Sequence, residues 1–171
     1  MHPSATTETT LDTSSVMCFY TDISIVDVHY HSCYQIVVST KTTFDSMIEE
    51  TYYQSLKGFV INKYTKHSCS APKGSFLVYY IESKSLLGKK LHELLEGENF
   101  VDIETILSKQ TLDKLSPKFA EKLTPTEMKI ISDDLLSQIV QPGSQGNISE
   151  NAWRPLPFDL TVNKSLNHSN I

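Results

Sequence analysis

The sequence predicts a mainly β domain, a sandwich or barrel of short antiparallel strands with α-helices added after it. Three observations carry this. Between Val16 and Ser83 the apolar residues come in short aromatic and β-branched runs, separated by Gly, Pro or polar clusters. Near Ser83 the apolar spacing lengthens to that of an amphipathic helix. Strands come first and helices after, which argues against a doubly wound parallel sheet built from alternating units.

Residues 1–15 are polar and rich in Ser and Thr, and are expected to form a disordered tail, because such a segment buries too little surface to offset the entropy of ordering. Residues 16–83 are the expected barrel. Its runs are Cys18-Phe19-Tyr20, Ile23 to Val26, Tyr34 to Val38, Thr51-Tyr52-Tyr53, Gly58 to Ile61 and Ser75 to Ile81, enough for six to eight strands. Glu49-Glu50 reads as a solvated hairpin end between two of them.

Residues 84–140 are expected to be helical. Leu86, Leu87, Leu91, Leu94 and Leu95 fall at helical spacing, with His92 and Glu93 on the other face. A second helix is expected at about Asp102 to Leu107. Ser116-Pro117 reads as an N-cap with Pro at the first helical position. Thr124-Pro125-Thr126-Glu127 repeats the device and adds a capping box, Thr at the cap and Glu three residues on. The helix it opens puts Met128, Ile131, Leu135 and Ile139 on one stripe, which either packs on the barrel or forms a dimer interface with a second copy. Residues 141–171 begin with Gln141-Pro142-Gly143, a helix stop and linker, and continue with little periodicity.

A chain of 171 residues with 39% hydrophobic content is sized for one folded domain. Fifteen Lys and Arg against 20 Asp and Glu leave a net charge of −5. The pI of about 5.6 lacks the basic excess of a nucleic-acid grip. No apolar run reaches the length of about 18 residues that suggests a membrane span. Residues 1–15 lack the apolar core of a secretory signal. The three cysteines, Cys18, Cys33 and Cys69, contain no Cys-x-x-Cys pair, so reduced thiols in a cytoplasmic protein are the expectation.

The residues best suited to chemistry lie in His29-Tyr30-His31-Ser32-Cys33-Tyr34-Gln35. On one continuous strand, alternate side chains share a face, so His29, His31, Cys33 and Gln35 would stand together. Two imidazoles at that spacing can meet one metal ion, Gln35 can add an oxygen, and His67 would join them if its strand lies alongside. Zinc, iron, nickel and manganese all suit such a set. The alternative is a group of half-buried, hydrogen-bonded strand histidines with no metal. The sequence has no Gly-x-Ser-x-Gly elbow, no Gly-rich phosphate loop and no His-Glu-x-x-His helix, so no catalytic residue is assigned.

From His29 to about Leu95 the sequence resembles the N-terminal regulatory domain of arabinose-type (AraC/XylS) bacterial transcription regulators, which is a cupin, a small jelly-roll barrel. His29-x-His31-x-x-x-Gln35 followed by Ile36-Val37-Val38 is similar to the first cupin motif, with Gln in the place of its acid. Gly58-Phe59-Val60-Ile61 leading to His67 is similar to the second. Phe76 to Ile81, then Glu82-Ser83-Lys84-Ser85-Leu86-Leu87-Gly88, resembles that family's exit from the barrel into its first helix. Lys41 stands where the first motif has a Gly, and the Pro before the second motif's His is absent.

The resemblance implies a cupin barrel followed by C-terminal helices. It implies an effector-sensing and dimerising role without enzymatic activity. A small-molecule effector would bind in the barrel at His29, His31, Gln35 and His67. The same four residues are the candidate ligands of a divalent metal, and no other cofactor is implied. The partners expected are the effector and a second copy of the chain, with no membrane. DNA would be met only through a C-terminal domain lacking from this chain, whose first helix Asp159 to Leu166 would begin. The alternatives are a small metal-dependent cupin enzyme, a dioxygenase or isomerase, and a standalone ligand-binding barrel.

Overall fold

The computed structural model describes residues 9–12, 15–22, 25–72, 74–118 and 124–140, with the side chains of 9–12 and 114–118 left aside. The expected linker and DNA-binding remnant at 141–171 lie outside the described residues.

Among the described residues ten strands fall in two antiparallel sheets. They are β1 (Thr9–Asp12), β2 (Val16–Thr21), β3 (Ile25–His29), β4 (Tyr34–Ser39), β5 (Phe44–Ile48), β6 (Thr51–Leu56), β7 (Gly58–Ile61), β8 (His67–Ser70), β9 (Phe76–Ile81) and β10 (Phe100–Asp102). One sheet runs β1-β2-β9-β4-β7-β10 and the other β3-β8-β5-β6. Without the flanking β1 and β10, the order 2-9-4-7 facing 3-8-5-6 is that of an eight-stranded jelly roll. The chain is thus mainly β, a cupin-like barrel with helices α1 (Leu86–Leu95), α2 (Lys109–Lys118) and α3 (Pro125–Val140) after it.

The two sheets close on an inner core in which the Phe44 ring meets Phe59 and Phe76 edge-on, at 5.4 and 5.2 Å between centroids. A second core lies between the larger sheet and the helices. β4 and β9 border both, which accounts for their unbroken apolar runs. On β4, Val37 joins the inner core while Tyr34, Ile36 and Val38 join the outer one. On β9, Phe76 and Val78 point inward and Leu77, Tyr79 and Ile81 outward.

The expected helix signals at Ser85 and Thr124 are present as hydrogen bonds. Ser85 Oγ accepts from the Gly88 amide at 2.9 Å. Glu127 Oε2 accepts from the Thr124 amide at 2.7 Å, and Thr124 Oγ1 accepts from the Glu127 amide at 3.3 Å, the reciprocal capping box. Glu49 and Glu50 form the exposed turn between β5 and β6.

Four expectations need correction. Part of the expected tail, Thr9–Asp12, is β1, paired antiparallel with β2. β1 covers the outer edge of β2 with backbone hydrogen bonds, and its β-branched threonines suit a strand. The helix expected from Asp102 is a single 3₁₀ turn, Ile103–Thr105, preceded by β10 on the edge of β7. The helix expected to begin at Pro117 begins at Lys109, because Ser108 is the effective cap, its Oγ accepting from the Thr111 amide at 3.2 Å. The stripe Met128, Ile131, Leu135 and Ile139 is buried in the outer core of its own chain, so it is not exposed as a dimer interface. Among the described residues no helix is long and apolar enough to cross a membrane.

Candidate metal centre

His29, His31 and His67 converge at one end of the barrel. The route differs from the single strand expected. β3 ends at His29, the chain turns through Ser32 and Cys33, and β4 restarts at Tyr34 in the opposite sheet. His31 sits on that corner. His67 opens β8, directly opposite His29 in the β3–β8 ladder. Gln35 approaches from the facing sheet, paired with Ile61 of β7 and Tyr80 of β9. Cys33 does not join the cluster.

The ring centroids of His29 lie 4.7 Å from His31 and 4.4 Å from His67. One ligand nitrogen from each of the three rings can be chosen so that all lie within 4.8 Å of one another. Two tautomers are set by the backbone. His29 Nδ1–H donates to the Asp27 carbonyl at 2.6 Å, and His67 Nδ1–H to the Thr65 carbonyl at 2.9 Å. A carbonyl can only accept, so both neutral rings keep their proton on Nδ1 and present the Nε2 lone pair. This is the arrangement that orients a metal-binding imidazole.

Two further contacts fit a cation. His67 Nε2 lies 2.5 Å from the Gln35 carboxamide, whose oxygen would face a cation and whose NH2, with the amide turned, would donate to the ring. His31 Nε2 is buried with no hydrogen-bond partner among the described residues. A cation would give the His31 lone pair a partner.

Burial keeps the rings neutral. His31 is pushed down to about 3, first by desolvation and then by the neighbouring His29 and His67. His67 is pushed down to about 4, again mainly by burial. His29 is lowered as well, with its bond to Asp27 opposing the burial. Neutral imidazole is the form that binds a metal.

A cavity of about 180 Å³ opens beside the cluster inside the barrel. His29 and Gln35 form its polar end, and Phe19, Val37, Phe76 and Val78 much of its wall. Sequence reasoning missed Tyr80, whose ring meets His31 edge-on at 4.7 Å and also lines the cavity. It missed Cys69 in the same wall. Alternation along Phe76–Ile81 could have grouped Tyr80 with Phe76 and Val78, but its pairing with Gln35 depends on register. Cys18, Cys33 and Cys69 are free thiols, and burial pushes Cys18 and Cys69 up to about 12.

No protein-family model matches this chain, and no curated protein matches it. Solved structures do. A cupin protein from Bacteroides fragilis is 16% identical, with 50% of this chain and 85% of that one covered and a TM-score of 0.39. An RmlC-like cupin family protein with a double-stranded β-helix fold, from Methanocaldococcus jannaschii, is 14% identical over 48% of this chain and 86% of its own, with a TM-score of 0.37. Oxalate decarboxylase of Bacillus subtilis, with its Mn(II) centres, is 13% identical over 45% of this chain and 25% of its own, with a TM-score of 0.37.

Proposed function

We propose that this chain is a metal-assisted small-molecule sensor. His29, His31 and His67 would hold a divalent cation, with Gln35 as a fourth donor, and the effector would occupy the adjoining cavity. A bound cation supplies a Lewis-acidic point for an effector oxygen. In this reading the chain is the effector-sensing and dimerisation domain of an arabinose-type transcription regulator, in the cytoplasm, and DNA is contacted by another part of that regulator.

One observation carries the sensor reading. On β4, Gln35 meets the histidines while its neighbour Tyr34 bonds to His92 of α1, hydroxyl to Nδ1, at 3.2 Å. On β9, Tyr80 meets His31 while its neighbour Tyr79 bonds to Ser132 of α3 at 2.9 Å. Adjacent residues on a strand point to opposite faces. A shift of either strand at the site therefore displaces a helix anchor one residue away. Pairing of two copies has to use exposed positions such as Ile130 of α3, because the apolar stripe is covered.

Hydrogen exchange on the metal-free and zinc-loaded chain tests this. The reading expects one zinc per chain and altered protection in α1 and α3 as well as at the histidines. Zinc binding that leaves both helices unchanged defeats the sensor reading. It would favour the second one, a small metal-dependent enzyme of the dioxygenase or isomerase type, which the same three imidazoles and cavity also suit.

A further inference from the structure

We infer that the cavity takes a small carboxylate with a flat apolar body, its carboxylate on the cation and its body among the barrel's aromatic and aliphatic side chains. This rests on the metal reading above and adds the ligand class to it.

The first argument is charge. Three imidazoles and a carboxamide are all neutral donors, so a divalent cation held by them keeps its full charge. Among the described residues no Asp, Glu, Lys or Arg lines the cavity. Three of the four donors are sequestered, His67 at 0% exposed, Gln35 at 4% and His31 at 7%, and His29 is partly exposed. An uncompensated charge in such surroundings is strongly disfavoured even after relaxation. With no carboxylate in the donor set, an anionic ligand compensates the cation where a neutral one cannot.

The second argument is shape. Beyond the polar end the wall is mostly apolar, with Phe19, Val26, Val37, Phe76 and Val78 beside the Thr21 hydroxyl, and it favours an apolar body. A volume of about 180 Å³ is a little above the roughly 150 Å³ of an apolar cavity that accepts benzene. The excess suits one small substituent on a ring. The Tyr80 hydroxyl lies in the wall near Gln35, where it can donate to the second carboxylate oxygen.

Calorimetry with benzoate and benzyl alcohol tests the class, on the full chain loaded with zinc and on the metal-free chain. Benzoate is expected to bind the loaded chain about tenfold more tightly than the alcohol, or better, and to lose that binding without zinc. Gln35→Glu places a carboxylate among the donors, so it should hold zinc more tightly and benzoate about tenfold less. Val37→Phe should block benzoate by filling the cavity while zinc is retained. Equal binding of acid and alcohol overturns the inference, as does benzoate binding that ignores zinc or Val37→Phe. Elemental analysis of the same samples separates the two failures. Zinc retained without benzoate discrimination defeats the ligand class alone, whereas no uptake of zinc, nickel or manganese defeats the metal reading and this one with it.

Discussion

Tyr79 and Ser132 share a hydrogen bond of 2.9 Å at a point where both side chains are fully buried. It joins the middle of the larger sheet to the middle of α3. Ser132 Oγ also reaches Cys18 Sγ of β2, at 3.7 Å. A polar anchor inside an otherwise apolar interface sets the position of the helix along the sheet, since sliding leaves a buried hydroxyl without a partner.

Ser132→Ala leaves the Tyr79 hydroxyl buried with only the weak Cys18 thiol as partner. The expected cost is about 1–3 kcal/mol in urea unfolding. Tyr79→Phe removes the other half and should cost less, because Ser132 keeps Cys18. The double variant should cost less than the sum of the singles. Hydrogen exchange should show the loss concentrated in α3, and strict additivity would rule out the coupling.

Substitution of His31 should matter little without metal and much with it. Without metal, His31→Ala removes a buried nitrogen that has no partner among the described residues. Its effect on the melting temperature should be small, the lost packing offset by the relieved group. With zinc, the wild-type chain should gain stability by mass action, about 2.7 kcal/mol at a hundredfold excess over Kd. His31→Ala should lose most of that gain. Thermal melts with zinc and with chelator check both expectations, and an equal zinc shift in the variant would exclude His31 as a ligand.

Acid should destabilise the metal-free protein in a defined window. An unfolded His titrates near 6.5, and in the folded chain His31 and His67 are held down to about 3 and about 4. Between these values the unfolded state binds more protons, so stability falls as pH falls. It should be flat with respect to these groups above about pH 7 and decline from about 6.5 toward 4. His31→Ala should make the decline shallower. Urea midpoints across that range measure the slope, and a wild-type midpoint that rises on acidification would contradict the burial of these rings.

The barrel and both helix caps were legible because their signals are local. Short β-branched runs, Ser85 before Leu86, and Thr124 with Glu127 each state their own geometry. The site was legible only as a set of residue types. His29 and Gln35 lie in opposite sheets, and the corner at Ser32 and Cys33 that separates them interrupts what reads as one strand. Tyr80 belongs to the site through its register with Gln35, a relation between strands far apart in sequence. β1 and β10 form on exposed edges of existing strands, and three residues such as Phe100-Val101-Asp102 are too few to show a period. At Pro117 two signals competed, and the Ser108 cap starts the helix first.

Gly88 sets a familiar propensity against packing. In an ordinary helix interior, Gly→Ala stabilises by roughly 1 kcal/mol. Here a Cβ on Gly88 would lie 2.3 Å from the Glu82 carbonyl oxygen and 2.8 Å from that of Ser83. Both are backbone atoms of the turn that leads from β9 into α1, and neither can rotate aside. That turn is tied by Ser85, whose Oγ donates to the Glu82 carbonyl at 2.7 Å while its amide donates to the same oxygen at 3.2 Å. Relief requires α1 to move off the sheet, taking Leu87, Leu91 and Leu95 with it. The clash should therefore prevail, with Gly88→Ala costing about 1–3 kcal/mol in urea unfolding. Because α1 carries His92, the variant should also disturb the Tyr34 anchor and raise exchange at β4. A variant as stable as the wild type would mean that the close approach of α1 to the barrel exit is not required by the fold.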